Sequence, residues 1–173
     1  FAAVGAFFVI NSFASTPTSS KIYLSASTYS VSANTTFEVQ IRENSGTVAV
    51  NTVQANISYP ANLVDLVSID ATNTSFGVQA QSTGANGAIL VARGSYTPRT
   101  GDQLVATLHF KSKTVSGNAS LAFTTGTALI SSDTNTAITG PYSTSGTGAA
   151  TIAISGTTTT TPSDTTPPTA PTG

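Results

Sequence analysis

The feature that most restricts this chain is an apolar alternation of period two. In "TFEVQIRE", Phe37, Val39 and Ile41 alternate with Glu38, Gln40 and Arg42. In "TVQANISY", Val53, Ala55, Ile57 and Tyr59 alternate with Gln54, Asn56 and Ser58. In "QLVATLHF", Leu104, Ala106, Leu108 and Phe110 fall on one side. A strand turns successive side chains to opposite faces, so each segment predicts a strand with one buried and one wet face. Further strands are predicted at 22–26, 63–70, 88–94, 119–124, 128–131 and 150–155. The separators "ENSG", "SYPAN", "STGANG", "PRTGD", "VSGN" and "SSDTN" are built from turn-forming residues. No stretch after residue 15 carries an apolar period of 3.6. About nine half-wet strands predict an all-β fold of two antiparallel sheets packed face to face, over residues 16–156.

The wet faces of these strands are dressed with Thr, Ser, Asn and Gln rather than with charge. Charged residues make up 8% of the chain against roughly 25% in ordinary soluble domains. Uncharged hydroxyls and glycans confer solubility on exported proteins, so the expected location is extracellular, at the cell surface. The net charge of −1 supplies no basic patch to neutralise phosphates, which argues against nucleic acid as a partner. Cysteine is absent, so neither disulfides nor a thiolate metal site can hold this fold.

Two flanking segments break the pattern. Residues 1–15 open with "FAAVGAFFVI", which has no charge, and the chain has no Met. Either this is a signal remnant with a small-x-small site at Ser12-Phe13-Ala14, or it is a retained assembly segment. In the second respect it resembles the start of a processed type IV pilin, although Gly5 stands where bacterial pilins usually carry Glu. As a helix, residues 1–14 would span about 21 Å, too short for a bilayer. The side chains expected to hide are Phe1, Val4, Phe7, Phe8, Val9 and Ile10, each worth about 1.5–3 kcal/mol on burial. They would pack as a helix in a filament core or add as a strand to a neighbour's sheet edge. Residues 157–173, "TTTTTPSDTTPPTAPTG", are a Thr/Pro-rich linker that cannot collapse. Its end resembles the opening of bacterial fibronectin type III repeats.

Three blocks of the body carry a broader resemblance. They are "VSANTTFEVQIRENSGTVAVNTVQANISYPANLVDLVSID", "GAILVARG" and "GDQLVATLHFKSKTVSGNASLAF". In that order they resemble a cohesin domain, from Lys21 to Ser155. The resemblance implies a nine-stranded jelly-roll sandwich, similar to certain carbohydrate-binding modules, in an extracellular and non-enzymatic role. Many cohesins have Asp just before the proline where this chain has Tyr59-Pro60. The fold is therefore carried over, and dockerin binding is not.

No residue set points to catalysis or to a cofactor. His109 is the only histidine, and its alternation puts it on the wetter face. The nucleophile elbow that would surround a Ser-His-Asp triad is missing. Glu38, Glu43, Asp65 and Asp70 are expected in structural salt bridges or hydrogen bonds rather than as a glycosidase pair. Asp133 and Asn135 have a D-x-N spacing without the further acids of a calcium loop, which reads as a turn. Asn34, Asn56, Asn73 and Asn118 each open an N-x-[ST] sequon and are candidate glycan acceptors. Tyr23, Tyr29, Tyr96 and Tyr142 would mark a sugar-stacking face if they lined up. The primary expectation is a non-enzymatic surface protein, a pilus-like adhesive filament subunit that assembles with copies of itself through residues 1–10. The alternative is a cell-surface cohesin or carbohydrate-binding module that takes a protein or polysaccharide ligand on the sandwich surface.

Overall fold

A computed structural model describes residues 20–138 and 148–156. The proposed assembly residues Phe1 to Ile10, Tyr142 and the linker at 157–173 lie outside the described residues.

Eleven strands are present among the described residues: β1 (Lys21–Ala26), β2 (Ser30–Ser32), β3 (Thr36–Asn44), β4 (Val50–Ser58), β5 (Val64–Asp70), β6 (Val78–Ala85), β7 (Ala88–Arg99), β8 (Asp102–Ser112), β9 (Gly117–Phe123), β10 (Ala128–Ser131) and β11 (Ala150–Ser155). They form two sheets. The smaller runs β1-β3-β8-β5, and the larger runs β2-β11-β9-β4-β7-β6 with β10 also paired to β4. The sandwich expected from the alternation is thus the architecture observed. Every pairing is antiparallel except that of β2 with β11, which is parallel.

The core is what the period-two pattern selects. Phe37, Val39 and Ile41 of β3, Val53, Ala55 and Ile57 of β4, and Leu108 and Phe110 of β8 are all buried. Phe110 lies at the centre of an aromatic group, stacked on Phe37 at 5.6 Å between centroids and met edge-on by Tyr59 at 5.5 Å. Such offset and edge geometries add to simple area burial.

Three local expectations change. Leu104 does not share the inner face with Ala106, Leu108 and Phe110. The β3–β8 ladder steps from Ile41↔Ala106 to Arg42↔Leu104, a bulge that turns Val105 inward. Val105 and Ala106 are therefore both fully buried, and Leu104 is only half-buried. A bulge places two residues opposite one, so the alternation reverses beyond it. Residues 82–85 of "STGANG" belong to β6, and the turn proper is Asn86-Gly87, with φ of 52° and 85°. Two consecutive positive φ values are the mark of the I′ hairpin turn, for which Asn-Gly is the preferred pair. The third change concerns Glu43. The inward series Phe37, Val39, Ile41 runs one step further, and Glu43 sits fully buried at its end.

Candidate binding face

The two outer faces of the sandwich differ in kind. The smaller sheet carries the charge. Arg42 donates from Nε to Asp102 Oδ1 at 2.8 Å, and its NH2 lies 2.7 Å from the same oxygen. The Tyr23 hydroxyl also donates to Asp102, and the Lys21 ammonium lies 4.9 Å from the Tyr23 ring centroid. Burial pushes the Asp102 carboxyl up, but the Tyr23 and Arg42 hydrogen bonds outweigh it and hold the group below the usual carboxylate range. Further along, His109 Nδ1 lies 3.4 Å from Glu38, and Lys113 pairs with Asp65 at 3.0 Å. Asp70 accepts from the Thr72 hydroxyl at 2.6 Å and from its amide at 2.8 Å. These partly exposed pairs are structural and individually weak. His109, Glu38, Asp65 and Asp70 are thereby placed on the wet side or at its end, in pairs rather than around a cleft.

The larger sheet presents a face of another chemistry. Along β7 the outward positions are Ala88, Leu90, Ala92 and Gly94, because Ile89, Val91 and Arg93 are buried. Leu90 is flanked in the ladder by Asn56 of β4 and Thr83 of β6, and Ala92 by Gln54 and Gln81. Ser58 and Ala122 extend this surface across β4 and β9. None of these outward residues is charged. Arg93 has been drawn inside, where Nε donates to the Phe76 carbonyl at 2.8 Å and NH1 to Gln79 Oε1 at 3.2 Å. A hollow of about 510 Å³ opens on this face, lined by Asn56, Thr83, Ala85, Ala88, Leu90 and Thr124 among others. Thr124 lines it at the start of a segment, Thr124–Thr127, that is tied to β4. The Thr127 hydroxyl accepts from the Asn56 amide at 3.0 Å and donates to the Asn56 carbonyl at 3.1 Å, standing in for a missing strand partner.

The four sequons are scattered. Asn34, Asn73 and Asn118 are exposed, on a turn with φ of 59°, on the turn after β5, and on the outer side of β9. Asn56 is different, since its Nδ2 donates to the Thr125 carbonyl at 2.7 Å and ties that segment to β4. The tyrosines do not line up either. Tyr23 belongs to the smaller sheet, Tyr29 precedes β2, and Tyr96 lies on β7, four strands away from β2 in the larger sheet. Asp133 takes a hydrogen bond from Ser132 at 3.1 Å within a turn, and Asn135 has a φ of 55°.

The sequence predicts the strand at 88–94 but marks neither Leu90 nor Ala92 as a contact residue, and it gives no sign of β6. "GAILVARG" shows a buried-strand alternation, but nothing in it says which strands flank its wet side. That information lies in sheet order.

No protein-family model matches the chain, and no curated protein matches it. Solved structures do. The seventh type I cohesin of ScaB from Pseudobacteroides cellulosolvens aligns with a TM-score of 0.62 at 14% identity, covering 80% of this chain and 93% of that one. The cohesin module of a Clostridium perfringens family 33 glycoside hydrolase gives 0.62 at 15%, with 80% and 99% covered. The CaCohA2 cohesin from Clostridium acetobutylicum gives 0.61 at 17%, with 78% and 90% covered. Identities this low establish architecture and leave the choice of ligand to each surface: the body of this chain is a β-sandwich with the cohesin fold.

Proposed function

We propose that this chain is a non-catalytic protein-binding module of the cohesin type, working at the cell surface, and that its partner docks on the outer face of β9-β4-β7-β6. The observation that carries the reading is the separation of charge. A sheet face that presents Leu90 and alanines amid amides and hydroxyls, with every formal charge elsewhere or drawn inside, has the composition of an interface centre. Charged residues are depleted at such centres, and a polar rim surrounds them. Cohesins of this architecture have been solved in complex with dockerins, including CaCohA2 and the sixth cohesin of the Acetivibrio cellulolyticus scaffoldin B. A dockerin-like module is accordingly the partner class to try first.

Titration calorimetry of the intact chain against a panel of dockerin modules tests this. A binding partner should lose about 100-fold in affinity on Leu90→Arg, the size expected when a charge is buried at an interface centre. Circular dichroism of that variant should match the parent, because Leu90 points outward. Raising salt from 0.05 to 0.5 M should move Kd less than about threefold, since no charge lies under the partner. Loss of binding on Arg42→Glu with none on Leu90→Arg would put the partner on the smaller sheet and refute the assignment.

A further inference from the structure

Glu43 is a buried carboxylate whose nearby hydrogen-bonding groups are those of Ser45 alone. It is 0% exposed, and neither of its oxygens has a hydrogen-bond partner. The Ser45 hydroxyl, also fully buried, has none either. The neighbouring donors are committed elsewhere. Ser45 N donates to the Gly101 carbonyl at 3.1 Å, Gly101 N to the Gly46 carbonyl at 2.8 Å, and Gly46 N to Asn44 Oδ1 at 3.0 Å. The cations are committed too. Arg42 serves Asp102 and Gln40, Arg93 serves Phe76 and Gln79, and Arg99 Nε serves the Ser75 carbonyl. The charged group that acts on Glu43 is Asp102, one register step along the β3–β8 ladder from Gln103, the residue opposite Glu43, and it is negative.

An ionised carboxylate is strongly disfavoured in such a place. A neutral carboxyl resolves the site. Its O–H can donate to Ser45 Oγ, and its carbonyl oxygen can accept from the Ser45 O–H, so one proton satisfies two orphaned groups. Burial is the main influence on the group, with Asp102 adding to it and Ser45 opposing, and the carboxyl is pushed up to about 7.

The surroundings give that proton structural leverage. Ser45 and Gly46 begin the β3–β4 loop, and Gly101 forms the β7–β8 turn. The two backbone hydrogen bonds between them lie at the same end of the sandwich as Glu43. The Ser45 carbonyl also accepts from Val48 N at 3.1 Å and from the Ser20 hydroxyl at 3.2 Å. Ser45 thus ties both loops and the entry of the chain into β1.

We propose that Glu43 is a buried proton-binding site that locks the β3–β4 loop, the β7–β8 turn and Ser20 together when protonated, and releases that end of the sandwich when it ionises. The sign follows from linkage. A carboxyl raised in the folded state favours folding in full below its unfolded value of 4.5 and loses that contribution as pH rises from there through about 7. Asp70 and Asp102, both held low, act in the opposite sense and only in acid. His109, beside Glu38 on the outer face of the same sheet, serves as the control residue.

The test is urea denaturation of the full chain at pH 5, 6, 7 and 8. The wild-type folding constant should fall on the order of 10- to 100-fold from pH 5 to pH 8. Glu43→Gln keeps the shape and cannot ionise, so its curve should be flat over the same range and lie above wild type at pH 8. His109→Gln should leave the wild-type slope in place. Amide exchange at Ser45 and Gly101, corrected for intrinsic rates, should speed up with pH in wild type and not in Glu43→Gln. The proposal is overturned if the Glu43 side-chain carbon titrates near 4 by NMR, or if wild type and Glu43→Gln share one pH profile. Because no partner is involved, failure here leaves the docking-face reading untouched, and the converse holds.

Discussion

Phe110→Ala should remove about 3–5 kcal/mol of folding stability, the largest effect expected from any single truncation in this core. Phe110 is fully buried, stacked on Phe37 and met edge-on by Tyr59, and it is paired across the smaller sheet with Phe37 on one side and Leu66 on the other. Its removal leaves a hole under three strands at once. The ring also brings Tyr59, at the end of β4 in the larger sheet, onto β8 in the smaller one, so the truncation strikes the joint between layers. Domains of this size are stable by about 5–15 kcal/mol, so the variant should be marginal at 37 °C. The chain has no Trp, which leaves tyrosine fluorescence as a clean monitor of urea unfolding. Phe110→Leu, which refills most of the volume, should lose much less. A loss below about 1 kcal/mol for Phe110→Ala would mean that the aromatic group is not the joint described.

Gly87→Val should rank next, at about 2–4 kcal/mol, through the backbone rather than the core. Two costs add at this position. Its φ is 85°, where a β-branched side chain is strained, and a Cβ there would lie 2.9 Å from the Tyr59 carbonyl oxygen. That contact cannot relax freely, because Tyr59 N donates to the Gly87 carbonyl at 2.8 Å. Pushing Tyr59 away disturbs its ring against Phe110, and the hairpin that carries Ala85 and Ala88 moves with it. Gly101→Val separates the two costs. Gly101 has a similar φ of 74° with open space around its missing Cβ, so it should show the strain alone. Denaturation midpoints of the two variants, with near-ultraviolet circular dichroism to follow Tyr59, make the comparison. Equal losses at the two sites would rule out the clash with Tyr59.

The parts of this molecule that could be read in advance are those governed by neighbours in sequence. Phe37, Val39 and Ile41 pointed inward as their spacing required, and His109 pointed outward. The Asn-Gly turn was visible in "STGANG" because its chemistry is local, but the strand before it was not. Val78–Ala85 is an outer strand of mostly small, uncharged residues, so it offers no contrast between its faces. Ser30–Ser32 was missed for a related reason, since a three-residue strand is too short for a period to show. The bulge at Val105 reversed an alternation that ran smoothly on paper, because the extra residue is defined by the partner strand. Glu43 is the instructive failure. Its position in the inward series is plain, yet its residue type suggests a salt bridge or hydrogen bond, and the structure buries it with no ion-pair partner among the described residues.

Alternation, turn chemistry and the near absence of charge follow from the chain alone, because each depends on a residue and its immediate neighbours: strands with one wet face, joined by tight turns, in two layers. Which wet faces stand side by side was decided only in three dimensions. Leu90 meets Asn56 and Thr83 through pairings between β4, β7 and β6, and the charges of β1, β3, β5 and β8 gather on the opposite sheet. Strand pairing joins residues far apart in sequence, and any wet edge can hydrogen-bond to any other. The choice among them is made by packing the whole core, and with it the place where a partner can bind.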